Sequence, residues 1–184
     1  MKSAQRRAVL RGAMLSAAAL IGLAPARDGE ARESGGSRMP DDLQSPLRDL
    51  LDRNAVTDQV SRLGRWLDLK QFDDPKATAA LLMPDVALET PGGRSEGLAA
   101  VVEQARRHHT EDRTQHLHTN VLVELHGDTA VASANLLVTF VPHAETPDVI
   151  SQVGTRYHFD LVRTAQGWRF KTIRDQMIWR RRVA

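Results

Sequence analysis

The chain has 184 residues, 41% of them hydrophobic, which suits one domain and argues against a second independent core. It contains no cysteine, so disulfides, thiol chemistry and thiolate metal sites are excluded. The formal net charge of +2 at pH 7 comes from 25 basic and 23 acidic side chains, and where they fall along the chain matters more than their balance.

Residues 1–26 carry Lys2, Arg6, Arg7 and Arg11 with no acid, then an apolar run at 13–23, then Ala24-Pro25-Ala26. Charged, apolar and small-residue regions in that order read as a secretory signal. The apolar run falls short of the ~20 residues that a bilayer crossing needs. Arg6-Arg7-Ala8-Val9-Leu10-Arg11 resembles the twin-arginine export motif, with Gln5 and Val9 as departures from it. The expected location is periplasmic or secreted, with no stable membrane span after signal removal. Taking away these four basic residues leaves 21 against 23 acids, a net charge of −2, and a nucleic-acid partner loses its main support. Residues 27–45, rich in Gly, Ser, Arg, Asp and Glu, read as a flexible linker.

Between residues 46 and 70, apolar side chains from Leu47 to Leu69 recur at mostly three- and four-residue steps, the mark of an amphipathic helix. Ser45 is its expected cap, with a break near Asp52. Asp74-Pro75 opens a second, short helix through residues 77–83, stopped by Pro84. A brief strand at 86–90 precedes a turn at Pro91-Gly92-Gly93, and residues 97–109 form a third helix. From Thr114 the period turns from helical to alternating: strands at 114–125 and 130–141 flank Gly127-Asp128, and strands at 149–163 and 168–179 flank 164–167. The end of the chain, 181–184, reads as a solvated basic tail. Three helices followed by long antiparallel strands define an α+β domain, residues 46–180, with helices on one face of a curved sheet and a pocket between them.

Several pieces in this order resemble the SnoaL-like branch of the nuclear transport factor 2-like superfamily. They are the helix end Trp66-Leu67-Asp68-Leu69-Lys70-Gln71-Phe72, the segment 79–89, and Thr114-Gln115-His116-Leu117-His118-Thr119-Asn120. Gly154-Thr155-Arg156-Tyr157, Leu161-Val162-Arg163 and Gly167-Trp168-Arg169 complete the set. The resemblance implies a cone-shaped, mostly antiparallel sheet with three N-terminal helices enclosing a blind apolar pocket. Asp68 and His116 also look like the pair of the scytalone-dehydratase type, in which an aspartate ending the first helix orients a strand histidine that shuttles protons. Ser133 and Asn135 match that pattern more weakly. Leu67 and Thr90 stand where the resemblance implies tyrosines, and no second histidine occurs between residues 80 and 107.

Imidazole titrates near neutrality, and a carboxylate behind it fixes its tautomer and stabilises the imidazolium. Asp68 and His116 are therefore the candidate catalytic pair, against the reading that Asp68 ends a helix and His116 is a satisfied sheet residue. His118, Ser133, Asn135 and Tyr157 are candidate substrate contacts. Alternation places His116, His118, Asn120, Leu122 and Glu124 on one face of their strand and Leu117, Thr119, Val121, Val123 and Leu125 on the other, the better core. His108-His109 suits a helix C-terminus, where cations meet the dipole favourably. No histidine and carboxylate spacing completes a metal site, so no metal or other cofactor is expected. Two functional readings follow: cofactor-free proton transfer (isomerisation, dehydration or cyclisation) on a small apolar cyclic molecule, or a non-catalytic ligand-binding or dimerisation module. A homodimer is the expected assembly.

Overall fold

Helix α1 spans Asp41–Asp68 without interruption and buries Val56, Val60, Leu63, Trp66 and Leu67 at the three- and four-residue spacing seen in the sequence. The computed structural model describes residues 41–183; the segment read as a signal peptide, and 27–40 of the linker, lie outside the described residues. The helix begins earlier than its apolar pattern, so 41–45 are helical rather than linker and Ser45 is not its cap. Pro46 sits in the second turn, where it removes one backbone hydrogen bond without ending the helix. Nor is there a break at Asp52, whose side chain turns inward. Arg163 clasps its carboxylate with Nη1 at 2.5 Å and Nη2 at 2.7 Å, and Trp168 donates Nε1–H to it at 3.2 Å.

After α1 the chain passes through Lys70, which adopts the left-handed region at φ 48°, and a short 3₁₀ turn at Gln71–Asp73. Helix α2 (Pro75–Leu81) has a cap that explains its start: Asp74 Oδ1 accepts from the backbone N–H of Lys76 and Ala77, both at 2.9 Å, with Pro75 in the first position. Strand β1 (Leu82–Thr90) follows at once, so Pro84 lies in a strand instead of stopping the helix. Its register against β6 shifts between Leu82 and Ala87, the kind of irregularity that accommodates a proline. Strand β2 (Gly93–Glu96) is short and polar, and its Arg94 bridges Glu89 and Glu96 at 2.6 Å each. No apolar alternation marks it in the sequence. Helix α3 (Leu98–His108) turns Val101 and Ala105 inward.

Four long strands complete the sheet: β3 (Arg113–His126), β4 (Thr129–Val141), β5 (Ile150–Thr164) and β6 (Gly167–Val183). The order is β2-β1-β6-β5-β4-β3, antiparallel throughout except where β1 runs parallel to β6. Residues 181–183 are not a tail: Arg182 pairs with Ser151 and Val183 with Ile150, and Arg181 Nε donates to Gln152 Oε1 at 2.9 Å. The core lies between the concave face and the helices, around Phe159, Phe170, Leu161, Leu82 and Trp66.

Strand β3 changes phase within its length. Thr119 opposes Asn135 but Leu122 opposes Ser133, so β3 holds one extra residue, and Asn120 absorbs it in the left-handed region at φ 53°. Asparagine is among the few residues that tolerate that conformation. Before this bulge His116 and His118 point to the concave side and Leu117 is 45% exposed; after it Val121, Val123 and Leu125 point inward and Leu122 is 69% exposed. Neither face expected from simple alternation therefore holds across Asn120.

Candidate active site

Asp68 is the last residue of α1, and β3 crosses directly beneath it. His116 places Nδ1 at 2.6 Å from Asp68 Oδ1 and donates its backbone N–H to Oδ2 at 3.1 Å, while Thr114 donates its hydroxyl to Oδ1 at 3.0 Å. The close approach needs Gly64 on α1: a Cβ there would stand 3.1 Å from His118 Nδ1 and 3.3 Å from His116 Cβ. Burial alone would push the Asp68 carboxyl up, but the hydrogen bonds from His116 and Thr114 outweigh it and hold the group below the usual carboxylate range.

A third group completes the line. His109, just past α3, sets Nδ1 at 2.8 Å from the carbonyl of Ala105 and Nε2 at 3.2 Å from His116 Nε2. A carbonyl can only accept, so His109 Nδ1 carries hydrogen, and the Asp68 carboxylate assigns hydrogen to His116 Nδ1 in the same way. Burial lowers the pKa of His109 to about 4, which keeps its ring neutral, with Nε2 turned toward His116. Sequence reasoning assigned His109 to the helix dipole and missed this contact. Its one signal was position, seven residues before His116 at a helix end.

These imidazoles border a cavity of about 490 Å³, within the range of small-molecule sites. Its walls are largely apolar, with Leu63, Leu67, Leu88, Val138, Val153 and Ile173 among them. Tyr157 joins it from β5, and burial together with Asp175 pushes its phenol up, so it stays a neutral donor. Asp175, opposite Tyr157 on β6, also lines the cavity. Its Oδ1 accepts from the Thr155 hydroxyl, which is also 2.9 Å from the carbonyl of Gln176. Burial pushes the Asp175 pKa up, against the Thr155 hydrogen bond, which lowers it.

The remaining sequence candidates lie elsewhere. His118 packs beneath Gly64 with ring centroids 6.0 Å from Tyr157 and 6.5 Å from Phe159, is not part of the cavity lining, and leaves Nε2 buried without a partner. Ser133 and Asn135 fall on the outer face of β4, between Ala132, Ala134 and Leu136, which point inward, and Asn135 Oδ1 accepts from Arg156 Nε at 3.4 Å. Leu67 and Thr90 do line the cavity, so hydrocarbon and a hydroxyl stand where phenols were implied. Among the described residues there is no cluster of three or more side chains placed to hold a metal, and no helix long and apolar enough to cross a membrane.

Neutral burial of His109 and His118 has a consequence for stability. Desolvation lowers each from 6.5 to about 4. Between those values the unfolded chain binds protons that the folded chain does not, so stability is full above about pH 6.5 and falls as pH drops toward 4. Denaturant unfolding at about pH 5 should show a loss on the order of 4 kcal/mol relative to about pH 7.5, half from each histidine. Equal stability at the two values would refute neutral burial.

Comparison with known proteins bears on this geometry. Residues 48–174 match the SnoaL-like domain family. No curated protein matches the sequence. Among solved structures, a putative scytalone dehydratase from Novosphingobium aromaticivorans superposes with a TM-score of 0.65 at 15% identity, covering 76% of this chain and 92% of that one. A hexachlorocyclohexane dehydrochlorinase from Novosphingobium barchaimii gives 0.64 at 18% identity, covering 76% and 94%. A nuclear transport factor 2-like superfamily protein from Salmonella enterica gives 0.62 at 16% identity, covering 71% and 94%. At such identities the likeness is one of fold.

Proposed function

The chain belongs to the SnoaL-like domain family, and from that premise we propose that it is an exported, cofactor-free enzyme that abstracts a proton from carbon in a small, largely apolar cyclic molecule. The observation that carries this is the 2.6 Å contact between Asp68 and His116 at the wall of a largely apolar cavity of about 490 Å³. A carboxylate behind an imidazole raises its basicity and fixes the tautomer that leaves Nε2 free to accept.

In this reading His116 Nε2 takes a proton from a carbon activated by a neighbouring carbonyl. His109 then receives the new N–H as a hydrogen bond, which stabilises the imidazolium together with Asp68. For an elimination, the C–H electron pair becomes the new C=C bond while the C–O bond breaks, and the leaving hydroxyl takes the proton now held by His116 and departs as water, which restores the imidazole. Two of the structural relatives carry names of eliminating enzymes, a dehydratase and a dehydrochlorinase, which supports this choice over cyclisation.

Native mass spectrometry of protein purified from its own source identifies the substrate class through a co-purifying ligand, and deuterium uptake from heavy water then reads proton abstraction directly. A ligand with no acidic C–H would overturn the proposal. Export is read separately, by following the location of the full chain with Arg6→Lys and Arg7→Lys together. Retention in the cytoplasm is expected, and continued export would count against the twin-arginine route.

The same scaffold as a binding or dimerising module keeps one observation in its favour. Leu117, Leu122, Val131 and Trp179 are exposed apolar side chains on β3, β4 and β6, 42–69% accessible, and a homodimer through the outer sheet face would cover them.

A further inference from the structure

The register of the sheet carries a second reading of the same cavity. His116 opposes Val138, Val138 opposes Val153, and Val153 opposes Arg180. Residues directly opposite on neighbouring strands project to the same face, so these four form one lateral row. All four line the cavity. Strands lie about 4.8 Å apart, which puts about 14 Å of backbone between the two ends of the row. With Arg180 at the exposed end and the His116 imidazole at the other, the two valines floor a space for one or two rings.

Arg180 holds its place because of a single extra residue in β6. Thr155 opposes Met177, whereas Gly154 opposes Trp179, which leaves Ile178 without a partner. An unbulged strand would have set Trp179 opposite Val153 and turned its indole into the cavity. The bulge turns Trp179 outward and Arg180 inward, the re-aiming that bulges beside sites produce. Gly154 makes the arrangement possible, since a Cβ there would overlap the indole of Trp179.

The charge of Arg180 is also uncommitted. It has no acidic partner among the described residues, unlike Arg94, Arg106, Arg163 and Arg174. Asp175, the acid nearest to it along β6 on this face, accepts from the Thr155 hydroxyl and makes no ion pair with Arg180. Glu111, the other acid of the lining, lies at the His116 end in the loop that leads into β3. An arginine at the edge of an apolar cavity fits a planar oxyanion with two parallel hydrogen bonds.

We propose that Arg180 is a carboxylate-binding subsite, so that the substrate is a ring-bearing carboxylate held with its anion on Arg180, its ring over Val138 and Val153, and its reactive carbon at His116. This rests on the reading of His116 as the base, yet its test needs no turnover. Calorimetric binding of 2-naphthoate and 2-naphthamide to the folded protein separates the anion from the ring. The carboxylate should bind at least about 10-fold more tightly, the contribution of one charge-assisted pair. That preference should vanish in Arg180→Gln, survive in part in Arg180→Lys, and persist in Arg182→Gln. Equal affinities for acid and amide, a preference that survives Arg180→Gln, or no binding of either probe would each overturn the subsite. A protein that prefers the carboxylate but takes up no deuterium keeps the subsite and loses the catalytic reading instead.

Discussion

His116→Ala is expected to lower turnover, and deuterium uptake into the bound ligand, by about 10²- to 10⁴-fold, the usual contribution of a positioned acid–base group. The loss should be chemical rather than structural. The ring contributes one wall of the cavity, and Asp68 keeps hydrogen bonds from Thr114 and from the backbone of residue 116 once the imidazole is gone. Asp68→Asn provides an independent check. Its amide would turn an N–H toward His116 Nδ1, force hydrogen onto Nε2, and remove the lone pair from the cavity without emptying the site. Both variants should unfold near the wild-type denaturant midpoint and both should be nearly inactive. Wild-type rates in His116→Ala would sink the mechanism.

The second large effect lies toward the other end of α1 from the chemistry. Asp52→Ala should cost roughly 2–3 kcal/mol in urea unfolding, because it removes the two-oxygen partner of the Arg163 guanidinium and leaves the buried Trp168 indole N–H without its acceptor. That is below the penalty of a fully enclosed pair, since the Arg163 side chain is 33% exposed and water reaches part of it. Arg163 also stacks over Trp168 at 4.4 Å and reaches Asp128 at 3.0 Å, so the loss spreads to the β5–β6 hairpin. Replacing both partners, Asp52→Leu with Arg163→Met, removes the charges together and should recover most of the stability. A single substitution costing under about 0.5 kcal/mol would show the pair to be energetically inert, as many exposed pairs are.

Periodicity and turn chemistry made most of this fold legible. The Asp74-Pro75 cap, the two hairpins around Gly127-Asp128 and residues 164–167, and the buried stripe of α1 are local signals, written in neighbouring residues. What escaped was set by partners distant in sequence. Strand β2 has almost no apolar content and exists through pairing with β1. The helical state of 41–45 and the strand state of 181–183 likewise owe little to composition. The pair Asp68 and His116 could be named because a pattern of known chemistry covered them. His109 could not, because a histidine at a helix end has a sufficient electrostatic reason to be there. Ser133 and Asn135 failed through a simple rule of faces: they alternate with alanines that the core requires. Arg180 was hidden by a bulge that no single residue announces.

The kink at Asn120 gives β3 a division of labour. Ahead of it the strand places Thr114 and His116 against Asp68; beyond it the same strand supplies cohesion through Val121, Val123 and Leu125. A strand in one continuous phase would tie the two tasks together, since any shift that re-aimed the imidazole would drag the valines out of the interior. With the phase reset at one residue, the half that faces the cavity can be rewritten while the cohesive half stays as it is, so the cavity wall can change without the core being repacked.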